Sequence, residues 1–124
     1  MVTQRSSLGT LAEDMAARYL TSRGYTVLEQ NYRKPWGELD IVARKGTSII
    51  FSEVKASRQE SAGFEPELRA DYTKLKKVVR TARTWLSSRK YPDDQEWQVD
   101  VISVTFNKEK KTVKIRHYKN VDFF

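Results

Sequence analysis

Apolar positions recur along this chain with two different periods, and the changes of period mark its elements. Leu8, Leu11, Ala12, Met15, Ala16, Tyr19 and Leu20 follow one another at steps of three and four. That spacing predicts a helix from about Leu8 to Arg23 with one apolar face. Gly24 stands where such a helix commonly stops. Tyr25 to Tyr32 follows as a strand, with Tyr25, Val27 and Leu28 as its expected buried members. Pro35 cannot donate to a strand ladder, so a turn is expected near Lys34 to Trp36. Glu38 to Ala43 and Ser48 to Lys55 are the second and third strands, joined by a hairpin connection in which Gly46 supplies positive φ. Ala56 to Arg69 is polar, with a glycine and a proline, and is expected to be a loop.

A second helix is expected from an Asp71 cap to about Lys90, its apolar face formed by Leu75, Val78, Val79, Ala82, Trp85 and Leu86. Trp97 to Phe106 is an almost unbroken apolar run, the pattern of a strand buried on both faces inside a sheet. A polar turn over Lys108 to Lys111 leads into a last strand, Thr112 to Tyr118. The order α-β-β-β-α-β-β predicts an α/β sandwich with helices flanking the sheet. One domain over residues 1–124 accommodates it, with the polar stretch 1–7 expected to be flexible.

Composition narrows the chemistry. The chain has no cysteine and one histidine, His117, so thiol catalysis, cysteine- or histidine-pair zinc sites and Ser-His-Asp hydrolysis are disfavoured. No apolar run approaches the ~20 residues of a membrane span, and nothing resembles a secretory signal, so a cytoplasmic location is expected. Lys and Arg total 23 against 16 Asp and Glu, a net charge of +7 that favours a polyanionic partner, nucleic acid before an anionic membrane.

Three carboxylates and one ammonium interrupt strands that should otherwise be buried: Glu38, Asp40, Glu53 and Lys55. Alternate side chains of a strand share a face, so Glu53 and Lys55 project together. An even-length hairpin would add Glu38 and Asp40 to that face. Buried charge is costly unless a cation compensates it, and paired carboxylates suit a hard divalent ion such as Mg²⁺ or Mn²⁺. A lysine beside such an ion can orient water and stabilise charge developing on a phosphate. The alternative is an ordinary cross-strand ion pair on a solvated face. Glu109-Lys110-Lys111 repeats the Glu-x-Lys triplet in an evident turn and is read as solvated. Glu13, at the flank of the first helix's apolar face, could reach over the sheet. Equally, Thr10-Leu11-Ala12-Glu13 has the form of a capping box.

The second helix carries Lys74, Lys76, Lys77, Arg80, Arg83, Arg89 and Lys90 with no acid between Asp71 and Asp93. A solvated helix usually mixes signs, so this face points to a phosphate backbone, with Lys77, Arg80, Thr84 and Lys74 as expected contacts. Tyr72 and the Trp97 region are expected in the core, and His117 as a packed strand residue. The C-terminal Val121-Asp122-Phe123-Phe124 could form a homodimer contact or pack onto its own domain.

A set of motifs carries a family resemblance: Gly9-x-x-Ala12-Glu13-x-x-Ala16, Gly24-Tyr25, Asn31-Tyr32-Arg33, Gly37-Glu38-Leu39-Asp40-Ile41-Val42-Ala43 and Phe51-Ser52-Glu53-Val54-Lys55, then Val99-Asp100-Val101 and Ile115-Arg116-His117. In combination they resemble the YraN family of uncharacterised bacterial nuclease-like proteins and, more distantly, the archaeal Holliday-junction resolvases. The resemblance covers about Gly9 to the C-terminus. It implies a restriction-endonuclease-like mixed sheet and PD-(D/E)xK chemistry. Asp40 and Glu53 would bind the metal with the Val54 carbonyl, Lys55 would position the attacking water, and Glu13 would complete the acidic cluster. The proline of the superfamily motif is absent, with Leu39 before Asp40, and the junction-resolvase branch also does without it.

These readings converge on a Mg²⁺- or Mn²⁺-dependent endonuclease acting on DNA. The alternatives are a nucleic-acid-binding module of the same fold without turnover, and an accessory protein that presents the basic helix to a DNA-processing complex.

Overall fold

A strand that is apolar throughout needs a cover on each side, and the computed structural model of this chain supplies one helix to each face of the sheet. The structure describes residues 7–59 and 72–121. The start of the chain, most of the expected loop before the second helix, the Asp71 cap, the side chain of Tyr72 and the final three residues lie outside that description.

The elements are α1 (Ser7–Ser22), β1 (Thr26–Lys34), β2 (Gly37–Lys45), β3 (Ser48–Gln59), α2 (Tyr72–Ser88), β4 (Trp97–Asn107) and β5 (Thr112–Tyr118), in the expected order. They build an α/β structure around a five-stranded mixed sheet of order β1-β2-β3-β4-β5. β1–β2, β2–β3 and β4–β5 are antiparallel, while β3 and β4 run parallel across the α2 connection. Gly46 takes φ 60 in the β2–β3 turn.

Ala12, Ala16 and Leu20 of α1 pack with Ile41, Ala43, Ile50, Ile102 and Val104 on one face. Val78, Ala82, Trp85 and Leu86 of α2 pack with Val42, Ile49, Phe51 and Val99 on the other. The indole N–H of Trp85 donates to Glu29 at 2.9 Å, which ties α2 to β1. β4 feeds both cores and is therefore apolar at both parities.

Four local expectations change. Leu11 is 49% exposed, because the buried stripe of α1 runs at four-residue steps through Ala12, Ala16 and Leu20 and leaves Leu11 at its flank. Leu28 is exposed because β1 shifts register between Val27 and Glu29, which turns it away from the core. β3 continues as strand to Gln59 instead of ending at Lys55, since β4 pairs with it along that whole length. Thr10 lies inside α1, so Thr10 and Glu13 do not form a capping box at a helix start.

Candidate active site

Strict alternation in β2 would put Leu39 and Ile41 on one face. Instead Leu39 packs in the α2 core and Ile41 in the α1 core. The phase slips at the residue between them, Asp40. Across the β1–β2 pair the register joins Gln30 to Ile41 and Tyr32 to Leu39, and the intervening Asn31 has φ 57. Asn is among the few residues that tolerate this left-handed conformation. The β2–β3 register starts at the hairpin and runs only as far as Ile41↔Ser52. Beyond it the Val54 N–H donates to Oδ2 of Asp40 at 2.8 Å, so a side chain continues where the ladder stops.

This irregularity decides which groups meet. Carboxylate oxygens of Glu13, Glu38 and Asp40 lie within 4.8 Å of one another. Glu13 comes from α1 and is 4% exposed. Glu53, buried on β3, meets Lys74 of α2 in an ion pair. The three acids expected with a lysine on one regular face are therefore divided: Glu38 and Asp40 meet α1 through Glu13, and Glu53 meets α2. Asp40 belongs to both environments. It lines a cavity of about 690 Å³ with Glu13, Glu38, Val54, Lys74 and Lys77. It also lines a smaller one of about 220 Å³ with Glu53, Lys74 and Lys77.

Burial pushes the Asp40 carboxyl up from 3.8 to about 6. The Val54 hydrogen bond opposes that rise, the charges of Glu38 and Glu53 add to it, and Lys74 opposes it. The neighbouring acids have cationic partners of their own, Arg33 beside Glu38 at 3.6 Å and Lys74 on Glu53, so burial is the main source of the Asp40 shift. Three carboxylates gathered in this way could offer oxygen ligands to a hard cation.

The wall of the larger cavity is basic and aromatic. The β1–β2 hairpin contributes Arg33, Lys34 and Trp36, facing Lys74 and Lys77. The guanidinium of Arg80 lies over the Trp36 ring, 4.6 Å from its centroid. On the outer side of α2, Lys76, Arg80, Arg83 and Thr84 line a further shallow depression. Thr84 is half-buried and its hydroxyl donates to the Arg80 carbonyl at 3.0 Å, so it is a weaker phosphate donor than its spacing suggested. Lys55 is half-buried on β3 and, among the described residues, lines neither acidic cavity.

A second polar group sits under α1. Asp100, fully buried, accepts from His117 Nε2 at 2.7 Å, from the Asn120 N–H at 2.8 Å and from the Gln98 amide at 2.8 Å. A carboxylate only accepts, so Nε2 of His117 carries a proton, while Nδ1 shares a hydrogen bond of 3.1 Å with the Tyr19 hydroxyl. Burial alone would push the Asp100 carboxyl up, but its three donors hold it below the usual value. His117 is thus a packed strand residue, as expected. Asp100, read in the sequence only as part of a family motif, thus ties down the segment after β5 and, through His117 and Tyr19, α1.

The sequence of this α/β chain is also similar to those of many other proteins. Residues 12–104 match the model of the uncharacterised protein family UPF0102. A UPF0102 protein of Syntrophotalea carbinolica is 42% identical over 104 residues, covering 84% of this chain and 83% of that protein. One from Alkaliphilus metalliredigens is 39% identical over 117 residues, 94% of this chain and 97% of that protein. One from Thermodesulfovibrio yellowstonii is 36% identical over 121 residues, 96% of this chain and 98% of that protein. The chain belongs to the UPF0102 family, the YraN family to which its motifs pointed. Among the described residues no helix is long and apolar enough to cross a membrane.

Proposed function

We propose that this protein is a metal-dependent endonuclease of the restriction-endonuclease-like class, hydrolysing phosphodiester bonds of DNA, branched or damaged DNA included. The observation that carries the reading is the meeting of Glu13, Glu38 and Asp40 carboxylates within 4.8 Å, beside a cavity wall of lysine and arginine. Glu13, Glu38 and Asp40 would hold the cation, with Glu53 and the Val54 carbonyl adjoining. A bound Mg²⁺ or Mn²⁺ would supply a water of lowered pKa and neutralise charge on the phosphate.

The chain's own groups do the rest. Arg33, Lys34 and Lys77 draw the phosphate backbone into the larger cavity and hold a scissile phosphate over the carboxylates. Hydrolysis joins a water oxygen to phosphorus and breaks the bond to the leaving sugar oxygen. The water gives up its proton to a carboxylate of the cluster or to solvent, and the leaving oxygen takes one up.

One observation favours the alternative of a binding module without turnover: the Glu53 charge is already matched by Lys74. A cleavage assay on linear, nicked, flapped and four-way DNA with Mg²⁺ or Mn²⁺ separates the two. Wild type should cut at least one substrate, and Asp40→Asn should fall to the level of a mock purification. Wild-type cleavage no greater than that mock would leave the binding module as the function. In parallel, saturating Mn²⁺ at 100 times its Kd should stabilise wild type by about 2.7 kcal/mol and leave Asp40→Asn almost unmoved.

A further inference from the structure

Among the described residues Lys74 and Lys77 line both acidic cavities. Of the two, Lys74 is the one in an ion pair with a buried carboxylate there, whereas the sequence motif points instead to Lys55. Lys55 follows Glu53 by two residues, but alternation along β3 only places it one step further on the α2 side, and it lines neither cavity. Lys74 comes from a different element. Its Nζ pairs with Oε1 of Glu53, a carboxylate only 5% exposed, while the lysine side chain itself remains 56% exposed. The same residue lines both the larger and the smaller cavity, and Asp40 lines both as well.

We propose that Lys74, on the first turns of α2, is the ammonium of this acidic pocket, serving both as the counter-ion of Glu53 and as the cation that meets the scissile phosphate. The proposal rests on the nuclease reading for its second half only. Two geometric facts distinguish Lys74 from a surface lysine. Its head group reaches a buried carboxylate, where a charge without a partner is costly. Its exposed stem and its place in two adjoining cavities leave it within reach of an incoming polyanion, so the same group can turn from carboxylate to phosphate without leaving the pocket. A divalent cation entering beside Asp40 would compete with Lys74 for the negative charge of Glu53. That exchange would free the ammonium for the phosphate when both metal and substrate are present.

The test compares Lys74→Ala, Lys74→Arg and Lys55→Ala in the full chain, with two readouts. The first is Mn²⁺ affinity by calorimetry without nucleic acid. Removing the competing ammonium should tighten Mn²⁺ binding about tenfold in Lys74→Ala. Lys74→Arg and Lys55→Ala should stay within about twofold of wild type. The second is the single-turnover cleavage rate on whichever DNA wild type cuts. Lys74→Ala should lose about 100-fold or more, the scale of losing one donor to transition-state charge. Lys74→Arg should recover most of that loss, and Lys55→Ala should stay within about tenfold of wild type.

If Lys74→Ala does not fold, Lys74→Gln keeps most of the side chain and a donor for Glu53 without the charge, and the same loss of cleavage is expected. Unchanged Mn²⁺ affinity in Lys74→Ala overturns the counter-ion role. Cleavage lost in Lys55→Ala and retained in Lys74→Ala overturns the phosphate role and leaves the nuclease reading standing. If wild type cuts no DNA, the nuclease reading and the phosphate role fall together, and the Mn²⁺ titration alone decides the counter-ion role.

Discussion

The Val54 N–H donates to a side-chain oxygen of Asp40, 2.8 Å away, where a regular antiparallel pair would offer it a backbone carbonyl. The bond holds one carboxylate oxygen at the point where β2 and β3 cease to pair. The rest of the group is left facing Glu13 and Glu38. It also lowers the cost of the buried charge without removing it, since the carboxyl still titrates near 6.

That raised value has a signed consequence for the metal-free protein. The folded state holds the Asp40 proton more tightly than the unfolded chain does. The stability this contributes is present below pH 3.8 and is lost as pH rises through about 6. Thermal unfolding of wild type at low ionic strength should therefore show a decline across that window. Asp40→Asn should flatten the decline and melt higher than wild type at pH 7 in the absence of divalent ions. A parallel pH profile for the two proteins would show that Asp40 is not the titrating group.

Asp100 works in the opposite sense. Its carboxyl lies below the ordinary value in the folded state, so its contribution is present above the unfolded pKa of 3.8 and disappears as pH falls through the folded one. His117→Ala leaves a buried carboxylate short of a donor and should cost about 3–5 kcal/mol in chemical denaturation. It should also weaken the acid-side dependence of wild type. A loss under about 1 kcal/mol would mean that water replaces the imidazole without penalty.

Gly37 controls how closely the β1–β2 hairpin approaches α2. A Cβ there would sit 2.3 Å from the hydroxyl oxygen of Thr81 and 3.2 Å from the Lys77 carbonyl oxygen. Thr81 cannot easily yield, because it is fully buried and its hydroxyl donates to that same carbonyl at 2.6 Å. Gly37→Ala should therefore destabilise the fold by about 1–3 kcal/mol. It should also push Trp36 and Lys77 apart and so weaken nucleic-acid binding. Unchanged stability in denaturant would show that the hairpin moves freely relative to α2.

The basic face predicts a salt dependence whether or not the protein is a nuclease. Lys77 lines both acidic cavities, and Arg80 lies over the ring of Trp36, which lines the larger one. Each duplex phosphate they neutralise should add about −0.9 to the slope of log affinity against log salt. Changing both to Ala should flatten that slope by up to ~2 for every DNA sequence alike. An unchanged slope in a salt titration would assign this face to something other than phosphate.

The sequence by itself determined the elements, their order and the candidate chemistry. Periods of two and of three to four residues are local consequences of strand and helix geometry, so α1, β2, β4 and α2 were all legible without knowing their neighbours. Asp40 and Glu53 stood out for the same local reason, as charges flanked by apolar residues in strands expected to be buried. Tertiary structure alone decided which charges meet. The slip at Asn31 and Asp40 cancels the alternation on which a face assignment depends, and it sends Glu38 and Asp40 toward Glu13 on α1. Lys74 reaches Glu53 only because α2 packs across the sheet, a contact between residues 21 positions apart that no spacing rule encodes. Local pattern is set by each residue's own backbone, whereas a pocket's charge balance is set by the packing that brings separate elements together.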